Sequence, residues 1–245
     1  MDQEKKSKFW QMRQLNTTEA NVYIDGEIVS QEWEDSDTSA AGFRNDLKQL
    51  EDVKKINLHI NSPGGSVFEG IAIYNMLKQS PATINTYVDG VAASIASVIA
   101  MAGDTIFMPK NAMLMIHNPW NIVAGNATDL RKAADDLDQV AKASVVTYLE
   151  KAGDKLTEES LKQMLDDETW LTADEAVQNG LADEVIASNQ VAACLTTENV
   201  TQFRHVPKQL IAEKKQGLTQ TKRQAIADEA KQHQQTTTTI LGGII

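Results

Sequence analysis

The sequence has one cysteine, Cys194, among 245 residues. A lone thiol cannot build an internal disulfide framework or any multi-cysteine zinc, haem-attachment or iron–sulfur pattern. No metal and no cofactor is therefore expected, and the chain suits a reducing, cytoplasmic compartment. Long hydrophobic runs are also missing. The longest weakly polar stretch, Gly90 to Gly103, falls short of the roughly 18 to 20 residues that span a bilayer and reads as a buried segment. The first residues, MDQEKKSKFW, mix charges of both signs around no apolar centre, so neither a secretory leader nor a membrane partner is expected. There is no Gly-Lys dipeptide, which excludes a Walker A loop, and no GxGxxG follows a strand. Basic residues are the minority, 23 against 34 acidic, for a net charge of -11. Such a chain repels a polyanion, so nucleic acid is not an expected partner.

What is present is enough apolar material for a core, at 42% of residues. The charge is uneven. Residues 205–245 hold six basic and three acidic side chains, a balance of +3, which leaves -14 on residues 1–204. That last stretch is rich in Gln and Thr and lacks an apolar period. The expected organisation is an N-terminal segment over 1–19, a folded body over 20–190 and a C-terminal extension over 191–245, partly disordered. Within the body, 21–29 alternates as a strand, and Thr38 or Ser39 caps a helix with Phe43, Leu47 and Leu50 on one face. Residues 53–61 form a strand that runs into the breaker Ser62-Pro63-Gly64-Gly65, and Val67, Ile71, Tyr74 and Leu77 mark the next helix. A strand over 82–88, a turn at Asp89-Gly90, a small-residue helix over 93–101 and a strand over 113–117 follow. Residues 126–150 form a long amphipathic helix, and shorter helices start at Thr157 and at the capping box Thr172 to Glu175. Alternating strands and helices predict an α/β fold with a largely parallel sheet.

In such sheets sites form where strands hand over to helices. Ser94 lies near a helix start among Ala92, Ala93 and Ala96, where unpaired N–H groups favour developing negative charge. A serine in this position is more often a cap or a packing residue. His117 ends an apolar strand before Asn118-Pro119 and is the best candidate base, since His59 alternates out of its strand's apolar face and His205 and His233 lie at or within the extension. A run of carboxylates, Asp166, Asp167 and Glu168, precedes Trp170, a large ring that can anchor its neighbours against the body. Gly64-Gly65 can present backbone N–H groups outward, as an oxyanion hole, a phosphate cradle or merely a turn.

Together and in this order, INSPGGSVFEGIAIYNML (Ile60 to Leu77), YVDGVAASIASVIAMAGD (Tyr87 to Asp104), MLMIHNP (Met113 to Pro119) and ETWLTADEAVQNGLAD (Glu168 to Asp183) closely resemble the Clp protease proteolytic subunit family, ClpP, over roughly residues 20–187. Within it, MIHNPW, ASVIAMAGD and ETW look most like the phage- or prophage-borne members associated with capsid maturation. The resemblance implies a ClpP/crotonase-like fold of repeated β-β-α units, with 126–150 as the handle helix that joins rings, plus a C-terminal tail.

It also implies a serine endopeptidase acting on protein or peptide substrates, with Ser94 as nucleophile, His117 as base and then acid, and the N–H groups of Gly65 and Ile95 as oxyanion donors. Gly64 and Ser66 border an extended substrate. The family's third residue is an Asp two before an aromatic. Here that position is Glu168, with Asp167 as the alternative. Self-association into heptameric rings and a capsid protein partner follow from the same likeness. An ATP-driven AAA+ unfoldase partner is put in doubt by an N-terminus and tail unlike the family's. The alternatives are a catalytically silent ClpP-like assembly or scaffolding protein, and a coenzyme A enzyme of the related crotonase type.

Overall fold

The structure is a computed structural model that describes residues 8–29, 39–50, 52–188 and 203–207. All of them fall within the first of two units into which the chain divides, Met1–Ile211. Cys194, and the extension beyond 207 expected to be partly disordered, lie outside the described residues.

One sheet organises the body. Strands β1 (Trp10–Gln14), β2 (Glu19–Asp25), β3 (Lys55–Ser62), β4 (Thr83–Ala93), β5 (Thr105–Pro109), β6 (Met113–Ile116), β7 (Thr169–Thr172) and β8 (Glu184–Ile186) run in the order β1-β2-β3-β4-β5-β8, with β6 on β4 and β7 on β6. Every pairing is parallel except β1 with β2 and β6 with β7. Helices α1 (Ala40–Leu47), α2 (Val67–Lys78), α3 (Ile95–Ala100), α4 (Ala127–Ala152), α5 (Glu158–Asp166) and α6 (Ala173–Gln178) connect them. This is the expected α/β architecture, and its alternating strands explain it. Val22, Leu58 and Ile106 are buried on one face. On the other, Tyr23, His59, Tyr87 and Phe107 stand in register on β2 to β5. Their rings stack with centroids 4.8, 5.0 and 4.9 Å apart.

Three differences from the sequence reading bear on the site. The chain does not turn at Asp89-Gly90. β4 continues to Ala93 because its first half pairs with β5 and its end, Val91 to Ala93, pairs with β6. Two neighbours thus hold the strand extended through the glycine, while the Asp89 carboxylate lies 3.0 Å from His59 Nδ1. The helix that follows begins at Ile95 rather than Ala93, which puts Ser94 at its N-cap. Trp170, read from the sequence only as an anchoring ring, lies in strand β7. Before residue 20, β1 adds an antiparallel edge, with Phe9 and Trp10 buried and Trp10 packed edge-on against Phe43 of α1.

The first half of α4 is exposed, and only Ser144, Val145, Thr147, Tyr148 and Ala152 are buried. A capping box at Asn126 and Asp129 closes its N-terminus. A solvated helical arm of this length draws little tertiary support from its own chain.

Candidate active site

Ser94 sits where β4 gives way to α3, with φ 55° and ψ -130°. A non-glycine residue there carries about 1–3 kcal/mol of strain and persists only if its surroundings hold it. Several contacts do so. The Ser94 N–H donates to Met115 O at 3.0 Å. Ser97 Oγ donates to Ser94 O at 2.5 Å and lies 2.6 Å from the Tyr148 hydroxyl of α4. Burial raises the pKa of Tyr148, so its phenol keeps its proton and donates to Ser97. Gly64 completes the cradle, because a Cβ there would lie 2.7 Å from both Ala93 O and Ser94 Cβ.

His117 follows β6 directly, and its Nε2 lies 2.8 Å from Ser94 Oγ. Two residues 23 apart in sequence meet because β6 pairs with the end of β4. Burial is the main influence on the imidazole and lowers its pKa; the Glu168 carboxylate pulls it up and Arg204 pushes it down. The net lowering keeps the ring neutral, and able to accept a proton, further into acid. The expected acid limb of kcat/KM for peptide hydrolysis therefore falls off below the ordinary histidine value of about 6.5. A pH–rate profile of the free enzyme checks this, and a midpoint above that value contradicts it.

The three neighbouring carboxylates have different surroundings. Asp166 accepts from Asn118 Nδ2 at 2.6 Å, and Asp167 accepts from Gln163 Nε2 at 2.9 Å, both in exposed positions. Glu168 is 4% exposed, and its charge is felt by His117. Its φ of 53° turns the chain between the C-cap of α5, Asp167, and the start of β7. Its Oε1 accepts the His205 N–H at 2.7 Å.

The glycine segment is anchored on Ile28. Ile28 N–H donates to Gly64 O, and Ser66 N–H donates to Ile28 O, both at 2.8 Å. In this parallel bridge the intervening residue, Gly65, turns its own N–H away from Ile28. Ile95 is the first residue of α3, so its N–H has no acceptor within the helix. Gly65 and Ser94 line one cavity of about 220 Å³ together with Pro63, His117, Trp120 and Phe203. A larger groove of about 1050 Å³ runs between α4 and α5 and contains neither Ser94 nor His117. Ser94 and His117 line the smaller cavity and also a narrow adjoining cleft that Ile95 lines.

The structure thus brings Ser94, His117, Glu168, Gly64, Gly65 and Ile95 to one place, with Ser66 at the start of α2, and leaves Asp167 on the surface. Sequence reasoning missed the Ser97–Tyr148 support and Phe203, whose ring packs edge-on against His117 at 5.9 Å and Trp170 at 5.6 Å. Phe203 is the only aromatic residue after Trp170, and that isolation was the available signal.

A hydroxyl bonded to an imidazole, with a buried carboxylate whose charge acts on that imidazole, is an arrangement suited to acyl transfer. Comparison with known proteins agrees. The Clp protease family model matches residues 14–189. The ATP-dependent Clp protease proteolytic subunit 1 of Chlamydia abortus (strain DSM 27085 / S26/3) is 38% identical over 133 residues, which is 53% of this chain and 68% of that one. The protein of the same name from Protochlamydia amoebophila (strain UWE25) is 33% identical over 139 residues, which is 55% of this chain and 66% of that one. The chain belongs to the Clp protease family and is a serine-type endopeptidase of that family.

Proposed function

We propose that this chain hydrolyses peptide bonds through Ser94, His117 and Glu168, and the observation that carries the proposal is the 2.8 Å contact between Ser94 Oγ and His117 Nε2. An extended peptide lies beside the Gly64-Gly65 segment, held by main-chain hydrogen bonds that impose little sequence selectivity. Ser94 Oγ attacks the scissile carbonyl carbon as His117 takes the hydroxyl proton. The N–H groups of Gly65 and Ile95 receive the oxyanion. His117 then returns the proton to the departing amine, and a water molecule repeats the sequence on the acyl-enzyme. Glu168 orients the imidazole and stabilises its charged form.

Choice of the third residue has its own test. Glu168→Gln is expected to lower kcat about a thousandfold or more, because a neutral amide no longer stabilises the imidazolium. Asp167→Asn removes only the charge of an exposed side chain that accepts from Gln163 and leaves kcat near that of the unsubstituted chain. The reverse order in a peptidase assay transfers the role to Asp167.

We further assign the chain to a ring-forming cytoplasmic assembly, expected to be heptameric, in which α4 joins subunits. Its exposed Leu130 and Val146, with Trp120, Ile122 and Val123 before it, make an apolar surface of the kind that marks interaction sites. The sequence likeness to phage-borne members points to capsid protein as substrate. Co-expression with a phage capsid protein, followed by mass spectrometry, is expected to reveal cleavage that requires Ser94. If purified protein cleaves neither model peptides nor that substrate, the catalytically silent scaffold is the correct reading. Sizing by light scattering tests the ring, and a monomer at micromolar concentration contradicts it.

A further inference from the structure

The Clp protease family match ends at residue 189, yet Phe203, Arg204 and His205 lie near the candidate catalytic groups. Three contacts converge there. Phe203 is 8% exposed, touches the rings of His117 and Trp170, and shares a buried cluster with Val91, Ala93 and Met115. The His205 N–H donates to Glu168 Oε1 at 2.7 Å. Arg204 is near enough for its charge to act on His117. The His205 and Arg204 side chains are exposed, so the hydrogen bond to Glu168 comes from the main chain.

Two roles fit a segment laid over a catalytic pair, a plug or a wall. Phe203 lines the cavity without filling it, since about 220 Å³ stays open beside Ser94, His117 and Gly65. That is room for one side chain of a substrate. The hydrogen bond to Glu168 also has a chemical consequence. A buried carboxylate needs donors to hold its charge, and a donor on one oxygen leaves the other free for the imidazole. Without it the Glu168 side chain, one methylene longer than Asp, has more rotamers open to it. We propose that residues 203–207, beyond the stretch that the family model matches, complete the active site: the His205 main-chain N–H is a positioning group for Glu168, and Phe203 is a specificity-determining wall of the substrate cavity. This inference rests on the catalytic reading above.

The test uses the full chain and two readouts: the rate of Ser94 labelling by a fluorophosphonate, and kcat and KM for fluorogenic dipeptidyl amides with tyrosine or alanine before the scissile bond. His205→Pro deletes the N–H. It is expected to lower the labelling rate and kcat roughly tenfold, as for loss of a hydrogen bond to a charged group, with KM little changed. The conservative His205→Ala retains the N–H and restores both. Phe203→Ala keeps the backbone and carries the test should His205→Pro fail to fold. It is expected to reduce the preference for tyrosine over alanine by about tenfold in kcat/KM. Unchanged labelling in His205→Pro together with unchanged preference in Phe203→Ala overturns the proposal. Faster hydrolysis in either variant overturns it in favour of a plug. If the unsubstituted chain does not label at Ser94, the catalytic reading itself fails, an outcome distinct from the other two.

Discussion

Ser94→Ala is expected to lower peptide hydrolysis by about five to six orders of magnitude, the scale on which serine proteases lose activity when the nucleophile is removed. The chain should nonetheless stay folded. Alanine at φ 55° carries the same strain as serine, and the bonds that hold the turn, Ser94 N–H to Met115 O and Ser97 Oγ to Ser94 O, both use the main chain. Only the hydroxyl contact with His117 disappears, at a cost to stability of about 1 kcal/mol. Paired measurements of peptidase activity and urea unfolding check this. Residual activity above about one part in a thousand, with unfolding unchanged, removes Ser94 from the mechanism.

Gly65→Ala has the second largest expected effect, and it acts on activity and stability together. A Cβ at Gly65 would lie 2.1 Å from Ile28 O and 2.9 Å from Ile28 N and C. These are backbone atoms that cannot step aside as the end of a flexible side chain can. The φ of 142° is a further obstacle to any L side chain. The loop has to shift, and with it go the Ile28 bridge and the Gly65 N–H that is proposed as an oxyanion donor. Loss of one oxyanion donor lowers kcat about a hundred- to a thousandfold. Gly26→Ala is the comparison. Its φ is 78°, but nothing lies within 4 Å of its Cβ, so the expected cost is about 1–2 kcal/mol of stability, from backbone strain alone. Stopped assays and thermal unfolding of the two variants separate the effects. Equal activity loss in both shows that the glycine loop acts only through general stability.

Much of this arrangement was legible in the residues. Alternation in 21–29 and 53–61, the breaker at Ser62 to Gly65 and the capping box at Thr172 are local signals, and local structure follows them. Ser94 and His117 could be picked out because each sits at the end of a strand, and the register of β4 with β6 does the rest. The third acid was less legible. Asp166, Asp167 and Glu168 look alike in sequence, and only the positive φ at Glu168 separates the buried carboxylate from the exposed ones. The turn expected at Asp89-Gly90 failed because strand pairing on both sides of β4 outweighs the local preference of two residues. Phe203 left only its isolation as a signal, and the His205 N–H left none. His205 is 37 residues from Glu168 and bonds through its main chain, a contact that leaves no pattern in side-chain type.

The proposed nucleophile of this chain is the Ser94 hydroxyl, bonded to His117. Reaction of the unsubstituted protein with a fluorophosphonate, followed by proteolytic mapping of the adduct by mass spectrometry, tests it most directly. One adduct per chain, on Ser94, is expected. No adduct, or an adduct on another serine with Ser94 unmodified, contradicts it.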